Sequence, residues 1–358
     1  MDIPQILTIN PGSTSTKIAV FEGSKVIFLK NIAHSTAELE KFKKMTDQYA
    51  YRKEIIYKEL EAAGIDLDLV RIVVGRGGLI KPIPSGVYRV NEAMKRDLMN
   101  SPIGEHASNL GGLIADSIAR QLPDAQAYIA DPVVVDEFET LARYSGHPLF
   151  PRYSVFHALN QKAIAQRHAK SMHKEYQQMN LIVAHLGGGI SVGAHQKGRV
   201  IDVNQALDGD GPFSPERSGS LPMGTFLKMA FSGEYTLEQM QTMLVGKGGM
   251  CAYTGTNNAY DVSVAAAKGD EKSYEVLEAM AYQVSKEIGG MATVLKGEVD
   301  AILITGGIAN DKWFCNLIIE RVHKIAPVYI YPGEDEMLAL AENGALVLSG
   351  EVEVKEYA

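Results

Sequence analysis

The stretch ILTINPGSTSTKIAVFEGSKVIFL, residues 6–29, decides the fold class. It contains three short apolar runs, at 6–10, 17–21 and 26–29, and turn-forming residues fill the gaps between them. Short apolar runs bounded by Gly, Pro and Ser are typical of β-strands that are joined by turns. The stretch therefore predicts a meander of three strands at the start of the chain.

A second stretch, LIVAHLGGGISVGAHQKGRVIDV at residues 181–203, repeats this pattern. Its strands are predicted at 181–185, 190–195 and 200–203, and a Gly-Gly-Gly turn replaces the Pro-Gly-Ser-Thr turn. A pattern that returns only once, half a chain later, does not indicate a solenoid, which needs a short period. We interpret it as an internal duplication into two similar α/β lobes.

The segments between and after the meanders alternate between helical and strand patterns. This alternation, with helices on both faces of mixed sheets, places the fold in the α/β class. Helices are predicted at 38–63, 106–122, 237–244, 271–295, 311–323 and 334–348, and further strands at 70–75, 127–130, 301–305 and 328–331.

The chain has 358 residues, more than a single core comfortably supports, so two domains are expected. No low-complexity linker separates them, and the pattern places the boundary near 151–153. The prediction is an N-terminal lobe at 1–153, joined by a C-terminal helical segment at 332–358, and a nucleotide-binding C-terminal lobe at 154–331.

The composition excludes several classes of protein. A formal charge of -8 without a long Lys/Arg cluster offers no electrostatic footprint for nucleic acid or an anionic membrane. Cys251 and Cys315 form no CxxC pair, so neither a disulfide framework nor a zinc site is expected from them. Residues 1–5 lack the pattern of a signal peptide, and no apolar run approaches the ~20 residues of a spanning helix. We expect a cytoplasmic protein.

Glycine-rich turns at strand ends are the first candidates for chemistry. In the hairpin at 10–17, Gly12 lets backbone amides approach a phosphate, the hydroxyls of Ser13 and Ser15 can donate, and Lys17 adds charge. The alternative is a plain Ser/Thr-rich hairpin. The echo at 185–189 weakens that alternative, because three consecutive glycines cost about 1 kcal/mol each in backbone entropy.

A third glycine step, Gly306-Gly307, follows an apolar strand and opens a helix, where a backbone can pass close to an adenosine. Such joints are common in α/β folds, so this signal is weak by itself. No GxxxxGK[ST] motif occurs, and the glycines at 187, 189 and 193 miss the GxGxxG spacing by one. P-loop and Rossmann interpretations therefore lose their main support.

Charged residues at strand ends and in glycine-rich loops supply candidates for phosphoryl transfer, which needs positive charge on the phosphoryl oxygens. Arg76 and Arg217 both lie in such loops, although a surface salt bridge is the alternative for each. Asp131 closes a strand just before a proline, where it is either a ligand group or a turn cap. His157 and His106 could donate to a phosphoryl oxygen, but a lone histidine is more often structural.

Together these motifs resemble the acetokinase family. The resemblance rests on residues 9–17, on the Gly75-Arg76-Gly77-Gly78 step with residues 81–86 after it, on residues 185–189 and on Thr305-Gly306-Gly307. The motifs occur in order and are spread over the whole chain.

This resemblance implies the duplicated two-domain fold of the actin-like and hexokinase-like ATPases, with a ribonuclease H-like topology and the active site in the interdomain cleft. It implies ATP or ADP and Mg²⁺ as cofactors. The implied reaction is direct in-line transfer of the γ-phosphoryl group to the carboxylate of a short-chain fatty acid, such as butyrate or isobutyrate, which gives an acyl phosphate. A homo-oligomer of two or more subunits is also implied.

The resemblance assigns roles to individual residues. Arg76 and Arg217 would hold the carboxylate and the transition-state charge, and His157 would donate to the transferring phosphoryl group. Asp131, also counted as catalytic, and Glu336 would position Mg²⁺. Contacts with the nucleotide and its phosphoryl group are expected from Asn10, Gly12, Ser13, Ser15, Lys17, His185, Gly187, Gly188, Gly189, Gly306 and Gly307.

Departures from the acetate-specific members bear on the acyl group. Those members read Leu-Gly-Asn-Gly in the second loop and Arg-Val-Val-His-Gly-Gly at the first arginine, whereas this chain has Gly188 and Gly77-Gly78. Less bulk there predicts a roomier acyl pocket. His106 matches the family only loosely, because Ala107-Ser108 follows it where those members have Asn-Pro.

Other functions remain open on the sequence. A kinase of the same family for branched-chain acids, acetate or propionate would share the motifs. An actin-like ATP-dependent switch or a nucleotide hydrolase would share the fold and the phosphate loops without needing an acyl pocket, so Arg76 and Arg217 discriminate between these readings.

Overall fold

The computed structural model describes residues 3–101 and 104–358. Met1 and Asp2, which begin the N-terminal stretch considered above, lie outside the described residues. Two mixed sheets organise the fold, one of six strands and one of five. The strands are β1 (Gln5–Pro11), β2 (Ser15–Glu22), β3 (Lys25–Ala33), β4 (Val70–Arg76), β5 (Val87–Arg89), β6 (Gln126–Ala130), β7 (Asn180–Leu186), β8 (Ile190–Gln196), β9 (Arg199–Val203), β10 (Ala301–Gly306) and β11 (Val328–Pro332).

Helices cover the faces of both sheets. The helices of the described residues are α1 (Thr36–Leu39), α2 (Tyr49–Ala62), α3 (Glu92–Asn100), α4 (Asn109–Ala119), α5 (Ala158–Ser171), α6 (Met223–Ala230), α7 (Leu237–Leu244), α8 (Met250–Thr254), α9 (Ala259–Ala267), α10 (Glu271–Val294), α11 (Lys312–Val322) and α12 (Glu336–Ser349).

The two sheets share one topology. In the first, β1, β2 and β3 form an antiparallel meander, and β4 pairs in parallel with β1. In the second, β7, β8 and β9 form the same meander, and β10 pairs in parallel with β7. The predicted duplication and the α/β class are thus confirmed, since both halves follow the same strand order outward from the first strand.

The chain divides into two compact units. The N-terminal unit comprises residues up to Val135 together with Asp335–Ala358, and the C-terminal unit comprises Asp136–Glu334. The sequence pattern placed the first boundary later, near 151–153. The segment after Val135 groups with the C-terminal unit because it bonds to β9, where the amide of Glu139 donates to the carbonyl of Ile201.

Burial follows from how the strands are covered. Every residue of β7 is buried, because α10 packs on one face of its sheet and α5 on the other. In the N-terminal unit, α4 packs on β4 and β6, and α12 packs on β1 and β4. Gly344 is necessary in α12, because an added Cβ would come within 2.9 Å of Ile6 Cγ2.

One predicted helix is wrong in its continuity. The pattern at 38–63 predicts a single helix, whereas the structure has α1, a gap, a 3₁₀ turn at Met45–Gln48 and then α2. Asp47 explains the restart, because its carboxylate accepts a hydrogen bond from the amide of Lys44 at 3.1 Å and so caps a new helical turn. No helix within the described ranges is long and apolar enough to cross a membrane.

Candidate active site

Three predicted residues of the N-terminal unit form one hydrogen-bonded cluster. Arg76, the last residue of β4, places Nη1 2.8 Å from Glu336 Oε2 and 3.3 Å from Asn10 Oδ1. Asn10 Nδ2 donates to the same Glu336 oxygen at 2.5 Å. Strand β1, strand β4 and the first turn of α12 each supply one member. The cluster therefore combines a guanidinium, an amide and a carboxylate at one edge of the first sheet.

The hairpin between β1 and β2 is a tight turn beside this cluster. The amide of Gly12 donates to the carbonyl of Ser15 at 2.7 Å, while Ser13 and Thr14 are exposed at the tip. Lys17 lies on β2 directly opposite Asn10 in the strand register. The predicted phosphate-binding residues of this stretch thus share one hairpin.

Asp131 lies at the end of β6, which neighbours β4 in the sheet. Its carboxylate is buried and accepts hydrogen bonds from Ser85 Oγ at 2.6 Å and from the amide of Gly86 at 2.9 Å. Its backbone has a φ of 38°, in the left-handed region that non-glycine residues rarely occupy. Such strain is a feature of functional sites, so it strengthens Asp131 as a candidate.

Two predicted histidines of the C-terminal unit are stacked on each other. The rings of His157 and His185 have centroids 3.8 Å apart and planes inclined by 12°. His157 Nδ1 lies 2.8 Å from Ser191 Oγ. His185 is buried, with Nδ1 2.8 Å from Asn160 Oδ1 and Nε2 3.2 Å from Glu334 Oε1. Both rings are therefore held in fixed orientations.

The glycine turn at 187–189 packs tightly against Arg217. A Cβ at Gly189 would lie 2.0 Å from Arg217 Nη1, so only glycine leaves room for this guanidinium. The loop that carries Arg217 is tied to the same turn, because Ser214 Oγ donates to the carbonyl of Gly188 at 2.6 Å. Arg217 Nη1 also donates to the carbonyl of Ala206 at 2.5 Å. Close packing and a hydrogen bond thus hold the second glycine loop against the loop that carries Arg217.

The third glycine step lies at the end of β10, which pairs with β7 and β11 in the second sheet. Gly306 has a φ of 97°, and its amide and carbonyl both bond to Gly333. An added Cβ at Gly306 would lie 2.3 Å from the carbonyl oxygen of Leu186, so the chain can pass there only as glycine. Gly307, by contrast, opens onto free space.

A cavity of about 700 Å³ adjoins these glycines within the C-terminal unit. This volume suits a nucleoside, since small-molecule sites commonly measure ≈ 300–1,000 Å³. Asn258, Asp311 and Lys312 offer polar groups around it. Its lining comprises Gly187, Gly188, Pro215, Asn257, Asn258, Ala259, Tyr260, Ser263, Leu277, Gly307, Ile308, Asn310, Asp311, Lys312, Trp313, Phe314 and Glu334.

Several residues that line this cavity were not predicted from the sequence. Asn257 and Asn258 lie in a run of turn-forming residues, a signal that could have marked them as a loop beside a ligand. Trp313 and Glu334 carry no local pattern that could have marked them. Arg52, inside a predicted helix, was missed as well, although it binds the backbone of the first hairpin.

One expectation about the glycines after Arg76 changes. The glycines after Arg76 do not leave room for an acyl group, because a Cβ at Gly77 would lie 2.5 Å from Pro132 Cβ, and one at Gly78 would lie 2.3 Å from Asn109 Oδ1. These positions serve backbone packing, and the argument for a roomier acyl pocket from them is wrong. His106 Nδ1 accepts the amide hydrogen of Ser108 at 3.2 Å, a local contact before α4.

The oxygen groups of the N-terminal unit suit a hard cation. Glu336 uses Oε2 for its bonds to Asn10 and Arg76, and its Oε1 has no hydrogen bond among the described residues. No cluster of three or more His, Cys, Asp or Glu side chains within residues 3–101 and 104–358 is arranged to hold a metal ion. A single carboxylate such as that of Glu336 fits Mg²⁺, because this ion is commonly bound by one or two carboxylates together with substrate phosphates and water.

Fold and site together define a phosphotransferase of the acetate kinase type, and the chain belongs to the acetokinase family, whose model matches residues 142–345. Over 353 residues it is 55% identical to butyrate kinase 2 of Clostridium acetobutylicum, and 52% identical to butyrate kinase 1 of the same organism, covering 99% of each chain in both cases.

Among solved structures, the fold matches acetate kinase from Porphyromonas gingivalis with a TM-score of 0.79 at 15% identity, over 96% of this chain and 100% of the other. This likeness confirms the predicted fold class.

Proposed function

We propose that this protein is a butyrate kinase, which reversibly transfers the γ-phosphoryl group of ATP to butyrate and gives butyryl phosphate and ADP. The observation that carries the proposal is full-length identity of more than half to a relative named butyrate kinase 2. The cluster of Asn10, Arg76 and Glu336 supports the same reaction, because it supplies a guanidinium beside a phosphate-type hairpin.

In this proposal Arg76 holds the butyrate carboxylate. A guanidinium matches a carboxylate with two parallel hydrogen bonds, and Glu336 and Asn10 restrict its rotation. The hairpin at Gly12, Ser13 and Ser15, with Lys17, contacts the transferring phosphoryl group. The carboxylate oxygen then attacks phosphorus in line with the leaving oxygen of ADP.

The nucleotide is assigned to the cavity beside Gly187, Gly188 and Gly307. Arg217 stabilises charge on the equatorial phosphoryl oxygens, and His157 donates a hydrogen bond to one of them. His185 holds the His157 ring by stacking, at a centroid distance of 3.8 Å. One P–O bond forms to butyrate as the P–O bond to ADP breaks, and the electron pair remains on the ADP oxygen, so no phosphorylated enzyme is formed.

Asp131 and Glu336 are the residues that would hold Mg²⁺. When bound, the ion neutralises charge on the phosphate oxygens. The remaining groups bind, orient and exclude water. Water would otherwise accept the phosphoryl group in place of the carboxylate. Because these groups exclude water, a low ATPase rate is expected without fatty acid.

A hydroxamate trap tests the reaction class. The purified protein is incubated with ATP, Mg²⁺, butyrate and hydroxylamine, and butyryl hydroxamate is measured beside free phosphate. We expect hydroxamate, ADP and free phosphate in equal amounts, because hydroxylamine displaces phosphate from butyryl phosphate, and little phosphate release when butyrate is omitted. Phosphate release without hydroxamate would instead indicate a hydrolase, and nucleotide binding without turnover would indicate an ATP-dependent switch.

An acyl-acceptor profile tests the substrate. Each methylene that enters an apolar pocket contributes about 1 kcal/mol, so kcat/KM should rise from acetate through propionate to butyrate. Isobutyrate tests branching. A maximum at acetate would contradict the proposal while leaving the family assignment intact. Light scattering of the purified protein tests the homo-oligomer that the family resemblance implies.

A further inference from the structure

Arg52 is a charged side chain in the interior of the N-terminal unit. It lies on α2, has 0% of its surface exposed and is among the largest fully buried side chains of the chain. An ordinary helix places arginine at the surface, because burying a charge is costly unless it is well hydrogen-bonded. Its hydrogen bonds therefore indicate what it is for.

The guanidinium of Arg52 binds the back of the β1–β2 hairpin. Nη1 donates to the carbonyl of Gly12 at 2.7 Å and to the carbonyl of Ser15 at 2.9 Å. Nη2 donates to the carbonyl of Ser13 at 3.0 Å. Thr14 is held as well, because its carbonyl accepts the amide hydrogen of His34 at 2.8 Å. Four consecutive carbonyls of the hairpin are thus engaged.

These bonds determine where the hairpin amides point. In a planar trans peptide the N–H points opposite to the C=O of the same unit. The carbonyls of Gly12 and Ser13 face Arg52, so the amides of Ser13 and Thr14 face away from it. Both residues are exposed, and within the described part of the chain neither amide donates to a protein acceptor. Adjacent outward amides form a concavity that binds anions.

The charge of Arg52 has no carboxylate partner. Its Nε and Nη2 donate to Gln48 Oε1 at 3.0 and 2.8 Å, and Nη1 also donates to Thr16 Oγ1 at 3.0 Å. No Asp or Glu oxygen in the described ranges lies within 4.0 Å of it. Burial lowers the pKa of Arg52 to about 10, so the group is still charged at neutral pH. A positive charge therefore lies behind the hairpin.

We propose that Arg52 is a positioning residue for phosphoryl binding: it holds the hairpin carbonyls inward so that the amides of Ser13 and Thr14 face the phosphoryl group. The inference rests on the proposed function, since it takes this hairpin as the phosphoryl-binding element. Arg52 itself does not touch the substrate. It acts through the backbone and through its unneutralised charge.

The test compares Arg52→Lys with Arg52→Met and with the surface control Arg120→Lys. A lysine keeps the charge but cannot reach all the carbonyls, whereas methionine removes both. In the reverse direction, butyryl phosphate carries the phosphoryl group into the site. We expect Arg52→Lys to lower kcat and raise the KM for butyryl phosphate, with a combined loss of about 10–100-fold, and to leave the KM for ADP nearly unchanged. Arg52→Met should lose more.

A purely structural role would give a different result. It would lower thermal stability and affect both substrates alike, so assays are run well below the melting temperature of each variant. If Arg52→Met does not fold, Gln48→Leu serves instead, because it removes two bonds from the guanidinium without changing the hairpin. We then expect a higher KM for butyryl phosphate and a nearly unchanged KM for ADP, with a smaller effect than in the Arg52 variants.

Folded Arg52→Lys and Gln48→Leu proteins with wild-type kinetics would overturn the inference. Equal changes in the KM values for both substrates would overturn it too. The wild-type protein separates this outcome from failure of the proposed function. If wild type forms no butyryl phosphate, the proposed function falls and this inference with it, whereas an active wild type beside unaffected variants removes the inference alone.

Discussion

Arg76 at the end of β4 and Glu336 in the first turn of α12 form an ion pair, with Arg76 Nη1 2.8 Å from Glu336 Oε2. The two residues are 260 positions apart in the chain. Only 20% and 10% of their side-chain surfaces are exposed, so solvent screens the pair weakly. The last helix of the chain thus holds the arginine that the proposed reaction needs.

Arg76→Ala should remove acyl transfer while nucleotide binding persists. The guanidinium contributes charge where the carboxylate binds, and loss of such a group typically lowers the rate by about 10²–10³-fold. The nucleotide cavity is lined by residues of the C-terminal unit, so ADP affinity should change little. Hydroxamate formation and ADP titration measure the two effects. Arg71→Ala on the same strand is the control, and equal loss of both properties would contradict the assignment.

Gly189→Ala should impair catalysis more than stability. The new Cβ would lie 2.0 Å from Arg217 Nη1 and must displace this flexible guanidinium. Since a small misplacement of a catalytic group is costly, we expect kcat to fall by about 100-fold. Gly146→Ala, where an added Cβ meets nothing within 4 Å, is the control. A variant with normal kcat would show that the position of Arg217 does not matter.

Nucleotide binding should change the tryptophan fluorescence. Trp313 lines the cavity of about 700 Å³ and is the only tryptophan in the chain. Adding ADP should therefore shift or quench the emission in a saturable way, whereas butyrate alone should not. A silent Trp313 at ADP concentrations that support turnover would place the nucleotide elsewhere.

Glu287 should make stability depend on pH. Burial, with a further contribution from Asp210, raises the pKa of Glu287 to about 7, against an opposing effect of Arg152. Between its ordinary value and about 7 the folded state binds a proton that the unfolded state does not, so stability falls as pH rises through that window. Glu287→Gln should therefore melt at a higher temperature than wild type at pH 8 and at a similar one near pH 4.5.

Thermal melts at both pH values test this effect, with Glu275→Gln on the same helix as the control. The control residue is exposed and should leave the pH dependence unchanged. A Glu287→Gln protein as pH-sensitive as wild type would contradict the prediction.

Much of the fold could be predicted because its signals are local. Strand β7 contains the apolar run at 181–184 shortly before a glycine turn, and α7 was predicted with the bounds that the structure has. The continuity of helix 38–63 could not be predicted, because the cap that Asp47 supplies competes with a helical pattern of similar strength. Motifs located most of the candidate residues, but not their partners.

The sequence alone determined the α/β alternation, the two meanders and the family, since strand runs, glycine turns and ordered motifs are properties of neighbouring residues. Tertiary structure decided which groups meet. It brought Asn10, Arg76 and Glu336 together and placed Arg52 behind the hairpin. It also showed that Gly77 and Gly78 are needed for close packing of the backbone. The physical reason is that such contacts depend on how helices pack on sheets between distant segments, and no local pattern records that packing.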